Sequence, residues 1–295
     1  MLLMSLQEEV MPKVWLITGA GRGLGRSIVS AALQADEYVL ATGRDRSRLL
    51  RLESEMGGRL RTIVLDVTDA DAARSAVDFA IETFGRLDVL VNNAGYGRLA
   101  PFEQTADPDF RMQMETNFYG VVNLTRAALP LMRIQRSGYI INVSSVGGRV
   151  GTAGLSAYQA AKWAVGGFTE VIAKEAAAFG VKVLAIEPGG MRTDWVAAAT
   201  SEHTELLPDY DASVGAMMRM MKGSIGREMG DPAKVADVIV SLTNRDALPA
   251  HLLLGAGAMR LCAETDAARQ AEAELWAATS ASTDFSSSDP HGSHG

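Results

Sequence analysis

The chain has 295 residues, 47% of them hydrophobic, with a formal net charge of −7 and a single cysteine, Cys262. That length suits one large domain or two small ones, and the apolar content suffices for a buried core. An acidic balance without a dense Lys/Arg run argues against a nucleic-acid partner. One cysteine excludes an intrachain disulfide and fits a reducing compartment, and no apolar run reaches membrane-spanning length.

Residues 1–10 carry Glu8 and Glu9 and lack the basic stretch of a signal peptide. They read as an N-terminal extension, with Met11 a candidate alternative start, and the protein is expected to be soluble and cytoplasmic. An apolar run at 14–18 predicts the first buried strand, which leads into Thr18-Gly19-Ala20-Gly21-Arg22-Gly23-Leu24-Gly25 and a helix over 23–35. Glycines let the backbone turn sharply and approach a pyrophosphate, while the helix N-terminus offers N–H donors and a favourable dipole. Thr18, Gly19, Arg22, Gly23, Leu24 and Gly25 are therefore candidate cofactor-binding residues. The second strand, 38–42, ends in Gly43-Arg44. An acidic residue at its end would bind a ribose 2′-hydroxyl and repel a 2′-phosphate. Gly43 followed by Arg44, with Arg22 inside the glycine turn, instead suits a phosphate monoester. The expected cofactor is NADP(H).

A third strand at 61–65 delivers Asp66 and Val67, a carboxylate to accept from the adenine amine and a valine to cover the ring. After a helix over 70–84, the fourth strand at 89–92 runs into Asn92-Asn93-Ala94-Gly95. Small residues there admit the cofactor to the backbone, and the asparagines can tie neighbouring strands together. A helix over 110–132, a strand at 139–143, a helix over 157–179 and a strand at 182–187 continue the alternation. The expected fold is a single-domain, Rossmann-like α/β doubly wound parallel sheet with helices on both faces, spanning 11–280. Tyr158 and Lys162 lie four apart on one helix face. A phenol titrates near pH 10 (roughly), and a neighbouring ammonium favours its ionised form. The pair reads as a general acid for a carbonyl oxygen or a general base for an alcohol.

Substrate choice is expected in a loop over about 190–230, where Trp195, Met217, Met218, Met220, Met221 and Met229 occur. Methionines can form an adaptable apolar lid, although Met217, Met218 and Met221 also recur at the spacing of a buried helix face. Tyr96, Gly97, Arg149 and Val150 should flank the same cleft. A helix over 232–243 and a short strand at 252–254 follow. An extra helix near 267–278 either caps the site or blocks an interface. The tail, 281–295, is rich in Ser, Gly and Asp and is expected to be disordered. Its His291 and His294 are weak ligands, and no metal site is expected.

With these motifs in this order, the chain resembles the short-chain dehydrogenase/reductase superfamily, in its single-domain branch with T-G-x-x-x-G-x-G and Y-x-x-x-K. The resemblance is close over 13–195 and looser to about 260. It implies that Tyr158 is the catalytic acid/base, and that Lys162 lowers its pKa and binds the nicotinamide ribose. Ser145, or Ser144 if the register is off by one, would hydrogen-bond the substrate oxygen. Asn117 would hold a water that links the lysine to solvent. Pro188 and Gly189 would shape the nicotinamide pocket, Thr193 would bond the carboxamide, and Asn93, Ala94 and Gly95 would form the cofactor wall. The implied activity is NADP(H)-dependent hydride transfer to or from an apolar ketone or secondary alcohol. Gly148-Arg149-Val150-Gly151 and Leu252-Leu253-Leu254-Gly255 resemble segments of hydroxysteroid- and retinol-type members. Family practice also implies a homodimer or homotetramer built on helices 110–132 and 157–179, the second bearing Ala160, Ala161, Ala164, Gly166 and Gly167. The alternative reading is a non-catalytic NADP(H)-binding sensor or scaffold on the same fold; such proteins typically lose the tyrosine or the lysine, and this chain keeps both.

Overall fold

Strands β1 (Val14–Ile17), β2 (Tyr38–Gly43), β3 (Leu60–Val64), β4 (Val89–Asn92), β5 (Gly138–Val143), β6 (Val181–Pro188) and β7 (His251–Leu254) form one parallel sheet in the order β3-β2-β1-β4-β5-β6-β7. The structure, a computed structural model, describes residues 11–201 and 205–285. The expected extension over 1–10 and residues 286–295 of the expected tail lie outside the described residues. Strand ends fall within one residue of the sequence reading.

Both faces of the sheet are covered, which is why its strands read as continuous apolar runs. Side chains alternate across a strand, so Trp15 and Ile17 enter one core with Ile28, Val29, Val235 and Ile239, while Val14 and Leu16 enter the other with Val77, Leu124, Ala128 and Met132. The first core is closed by α1 (Gly23–Gln34), with a later helix at Pro232–Leu242 packed on it, and the second by α3 (Ala70–Phe84) and its neighbours. Between them in sequence lies α2 (Arg46–Met56), absent from the sequence reading. Its start is set by Asp45, whose carboxylate accepts from Ser47 N at 3.0 Å and Arg48 N at 3.2 Å, a standard N-cap.

The single helix expected over 110–132 is interrupted. It consists of α4 (Asp107–Met114), a π-helical turn at Glu115–Tyr119, and α5 (Gly120–Gln135). Such a turn inserts an extra residue and re-aims a side chain; here it carries Thr116 and Asn117 inward. Helix α6 (Ser156–Ala176) holds Tyr158 and Lys162 and ends in a 3₁₀ turn, Ala177–Phe179. The expected loop over 190–230 contains α7 (Trp195–Ala199) and α8 (Ala216–Ser224), and α9 (Pro232–Leu242) follows. The extra C-terminal helix is longer than expected: α10 (Ala256–Leu275) starts directly after β7, and α11 (Ala277–Ala281) follows. Residue 281 of the expected disordered tail thus closes a helix. Among the described residues, no helix is long and apolar enough to cross a membrane.

Candidate active site

The strand order reverses between β1 and β4, and at such a point the chain leaves a crevice beyond the carboxyl ends of the strands. Thr18 locks its two walls together: its Oγ1 accepts from Asn93 N at 2.9 Å and Ala94 N at 3.0 Å, and donates to the Val91 carbonyl at 3.3 Å. Asn93 Nδ2 donates back to the Thr18 carbonyl at 2.8 Å and the Gly19 carbonyl at 3.2 Å. Thr18 is 1% exposed and does not line the cleft, so it shapes the crevice from behind rather than meeting a cofactor. Gly19 has φ +64°, and a Cβ on it would lie 2.8 Å from Ala94 Cα. A Cβ on Gly25 would run into the Gly19 carbonyl. Only glycine fits here. Asn92 meanwhile ties the sheet, donating to Asn142 Oδ1 at 2.8 Å, while Asn142 donates to Thr169 Oγ1 at 2.9 Å.

A cleft of about 970 Å³ opens over this crevice, at the upper end of ordinary ligand cavities. Gly19, Arg22, Gly23, Leu24, Gly25, Arg44, Asp66, Val67, Asn93, Ala94, Gly95, Pro188, Gly189 and Thr193 all line it. Arg22 and Arg44 are exposed at its rim, and Arg48 joins them from the first turn of α2, paired with Asp45 at 3.1 Å. Asp66 accepts from Thr68 N at 3.0 Å through one oxygen. Thr116, set inward by the π-helical turn, lines the cleft with a buried hydroxyl that has no hydrogen-bond partner among the described residues. A backbone cradle that a Cβ would fill, at the end of a cleft with three guanidiniums, fits a dinucleotide.

Toward the other end stand Ser145, Tyr158 and Lys162. The two serines after β5 divide their work. Ser144 Oγ donates to the Lys162 carbonyl at 3.0 Å and holds α6, whereas Ser145 lines the cleft with Tyr158 and its hydroxyl favours the ionised phenol. Ser145 Oγ also accepts from Gly147 N at 3.0 Å, which orients it. Burial pushes the Tyr158 phenol up, and the Ser145 hydroxyl pulls it partly back. The expectation that Lys162 lowers this pKa is corrected. Its Nζ donates to the Val143 carbonyl at 2.6 Å and stands 5.8 Å from the phenol ring centre, and burial lowers its own pKa to about 8. Burial is the larger influence on this tyrosine, and Lys162 is not among the groups that shift it.

Asn117 is fully buried and spends both ends of its amide on one residue: Oδ1 accepts from Tyr96 N and Nδ2 donates to the Tyr96 carbonyl, each at 2.8 Å. Its side chain thus clamps the loop after β4, and a Cβ on Gly95 would meet Asn117 Oδ1 at 2.6 Å and Lys162 Nζ at 3.6 Å. Asn117, Gly95 and Lys162 form one packed corner. Gln159, beside the tyrosine, accepts from Thr152 N at 2.7 Å and donates to Thr152 Oγ1 at 3.0 Å, pinning the loop that follows Ser145.

Beyond Tyr158 the cleft is lined by apolar side chains. Trp195 lies 4.9 Å from the Tyr158 ring centre, tilted by 55°, and packs with Met217, Met218 and Met221 on a small core of Leu99, Leu155 and Val214. Met217, Met220 and Met221 also line the cleft. Helix α8 thus packs on that core and lines the cleft at once. Met229 is 93% exposed and takes no part. Gly97 is pressed against the Trp195 ring, 2.5 Å from where its Cβ would sit. Arg149 does not flank the cleft as expected. Its guanidinium turns to Glu187 at 3.5 Å, whose carboxylate is fully buried, because a desolvated carboxylate demands a partner.

A family model described as short chain dehydrogenase matches residues 13–204. The chain belongs to the short-chain dehydrogenase/reductase family. It is 43% identical to Oxidoreductase BOA17 of Botryotinia fuckeliana (strain B05.10) over 267 residues, which is 90% of this chain and 97% of that one. A solved short-chain dehydrogenase from Streptomyces avermitilis superposes with a TM-score of 0.85 at 37% identity, over 93% of this chain and 100% of that one. Actinorhodin polyketide ketoreductase, solved with NADPH, superposes at 0.72 and 27% identity, over 84% and 97%. The fold, an oxidoreductase classification and use of a nicotinamide cofactor follow from membership.

Within this short-chain dehydrogenase, sequence reasoning missed Arg48, Thr116, Gln159, and Leu261 and Thr265 of α10, all at the cleft. Arg48 had a signal, the alternating arginines at 44, 46 and 48 beyond a strand end. Thr116 had none, because a π-helical turn leaves no composition mark.

Proposed function

We propose that the chain is an NADP(H)-dependent oxidoreductase that transfers hydride between nicotinamide and an apolar ketone or secondary alcohol, with Tyr158 as acid/base. One observation carries this reading: Tyr158 and Ser145 line one cleft with Lys162, and the far end of that cleft carries Arg22, Arg44 and Arg48. When bound, the nicotinamide supplies the hydride. Ser145 and Tyr158 hold the substrate oxygen, and Tyr158 donates its proton there as negative charge develops, where preoriented donors are worth most. A phenol held up by burial stays protonated at neutral pH, as reduction requires. Lys162, fixed by the Val143 carbonyl, presents its ammonium beside Gly95 and the tyrosine. Pro188, Gly189 and Thr193 supply the wall for the nicotinamide, and the arginines favour a 2′-phosphate.

Self-association through α4, α5 and α6 belongs to the same proposal. Met112, Tyr119, Trp163 and Val171 are exposed there, and Ala160 and Gly167 leave room for a close neighbour. Ala161 and Gly166 face inward and take no part. The deciding experiment is oxidation of NADPH and NADH across ketones, aldehydes, quinones, steroids and retinoids, with light scattering on the same sample. Turnover with NADPH on apolar ketones is expected. Tight cofactor binding without turnover on any of them would favour the sensor reading instead.

A further inference from the structure

Helix α10 reaches the cleft with one stripe and the protein body with another. Its first turn packs on the cofactor end: a Cβ on Gly189 would lie 3.3 Å from Ala258 Cβ. Leu261 and Thr265, four apart and hence on one face, line the cleft. Leu261 is nonetheless 43% exposed, an apolar side chain left open at a cavity rim. Thr265 Oγ1 donates its proton to the Leu261 carbonyl at 2.8 Å, so only lone pairs remain to meet a ligand.

The second stripe holds the helix down. Cys262 is buried, Asp266 pairs with Arg149 at 3.7 Å, and Arg269 Nη2 donates to the Arg149 carbonyl at 2.7 Å. The Arg269 guanidinium also lies 4.9 Å from the Trp163 ring centre on α6, a favourable cation–π geometry. Arg149 is in turn anchored on Glu187, which also meets His251 Nδ1 at 2.8 Å. The clamp thus ends on the residue preceding Pro188-Gly189.

We propose that α10 is a wall of the substrate pocket that selects a ketone or secondary alcohol with an apolar body and a hydrogen-bond donor remote from the reacting carbon. The body packs on Leu261, the donor meets the Thr265 oxygen, and Arg269 is a positioning residue that keeps both in place. The inference rests on Tyr158 acting as the acid/base in the same cleft.

The test compares kcat/KM for three ketones: a small one, one with a bulky apolar body, and the bulky one with a distal hydroxyl. Ratios taken within one variant do not depend on how much of it is folded. Leu261→Ala should lower the bulky-to-small ratio about tenfold, the scale of lost apolar contact in a pocket. Thr265→Val, close in shape, should remove a preference for the hydroxylated ketone of about three- to tenfold, the worth of one hydrogen bond. Arg269→Ala should raise KM for the bulky ketones more than it changes their kcat. Arg269→Lys should not rescue it, because lysine lacks the planar fork. Unchanged ratios in the Leu261 and Thr265 variants, with the wild type active, would overturn the α10 assignment alone. A wild type inert toward every carbonyl would remove the acid/base reading and this inference with it.

Discussion

The two ends of the cleft are built by different means. At the cofactor end, position is set by the backbone: Gly19 and Gly25 have no room for a Cβ, and Thr18 and Asn93 stitch β1 to β4 through main-chain groups. At the substrate end, position is set by side chains on elements far apart in sequence: Gly97 under Trp195, Met221 of α8, and Leu261 of α10. A backbone cradle can be read from a short motif because a few consecutive residues specify it. A side-chain wall depends on how helices pack, and many sequences satisfy one packing.

This contrast can be broken by experiment. The largest effect is expected at the junction of the two ends. Tyr158→Phe should lower kcat by about 10²–10⁴-fold, the range of general acid catalysis, while NADPH affinity by fluorescence titration stays near wild type. Retained turnover would remove Tyr158 from the chemistry. At the cofactor end, Arg44→Asp should shift the NADPH-to-NADH ratio of kcat/KM by about tenfold to a hundredfold, the worth of a charge-assisted hydrogen bond. An unchanged ratio would pass the 2′-phosphate to Arg22 and Arg48.

At the substrate end, Trp195→Ala should raise KM for aromatic or polycyclic ketones about tenfold and leave cofactor affinity alone; equal losses on all ketones would make Trp195 a support for Tyr158 rather than a pocket wall. The smallest effect is one of shape. Lys162 is held at about 8 by burial, so below that pH its ammonium is present and above it the charge is lost. If the ammonium is required, kcat/KM for reduction should fall as pH rises through about 8 in a profile taken from pH 6 to 10. A profile flat through that range would show that the neutral amine suffices.

The alternation of apolar runs with helical stretches was legible because both sheet faces are buried, and the glycine motif placed β1 and α1 to within a residue. Ser145 was legible only to within one position, since two adjacent serines follow β5 and only the packed structure turns Ser144 toward the Lys162 carbonyl. The tyrosine and lysine were located from spacing, yet their electrostatics were misread: the spacing puts an ammonium near a phenol but carries no information on burial, which raises the Tyr158 pKa and lowers that of Lys162. Asn117 was found by motif, whereas its clamp on Tyr96 depends on the π-helical turn at Glu115–Tyr119. Arg149 shows the opposite failure. Its place in the loop after Ser145 suggested the cleft, but Glu187 draws it away.

By itself, the sequence determined the class of fold, the family, and the residues gathered around Tyr158 and Lys162, because glycines, strand periodicity and the Tyr158–Lys162 spacing are local constraints that each act over a few residues. Tertiary structure alone decided which face of α8 meets the cleft, that α10 begins at Ala256 and brings Leu261 and Thr265 to the rim, and how far burial shifts the two titrating groups. Those outcomes depend on contacts between residues more than a hundred positions apart, such as Arg269 with Arg149, and on solvent exclusion, which belongs to the assembled fold rather than to any segment.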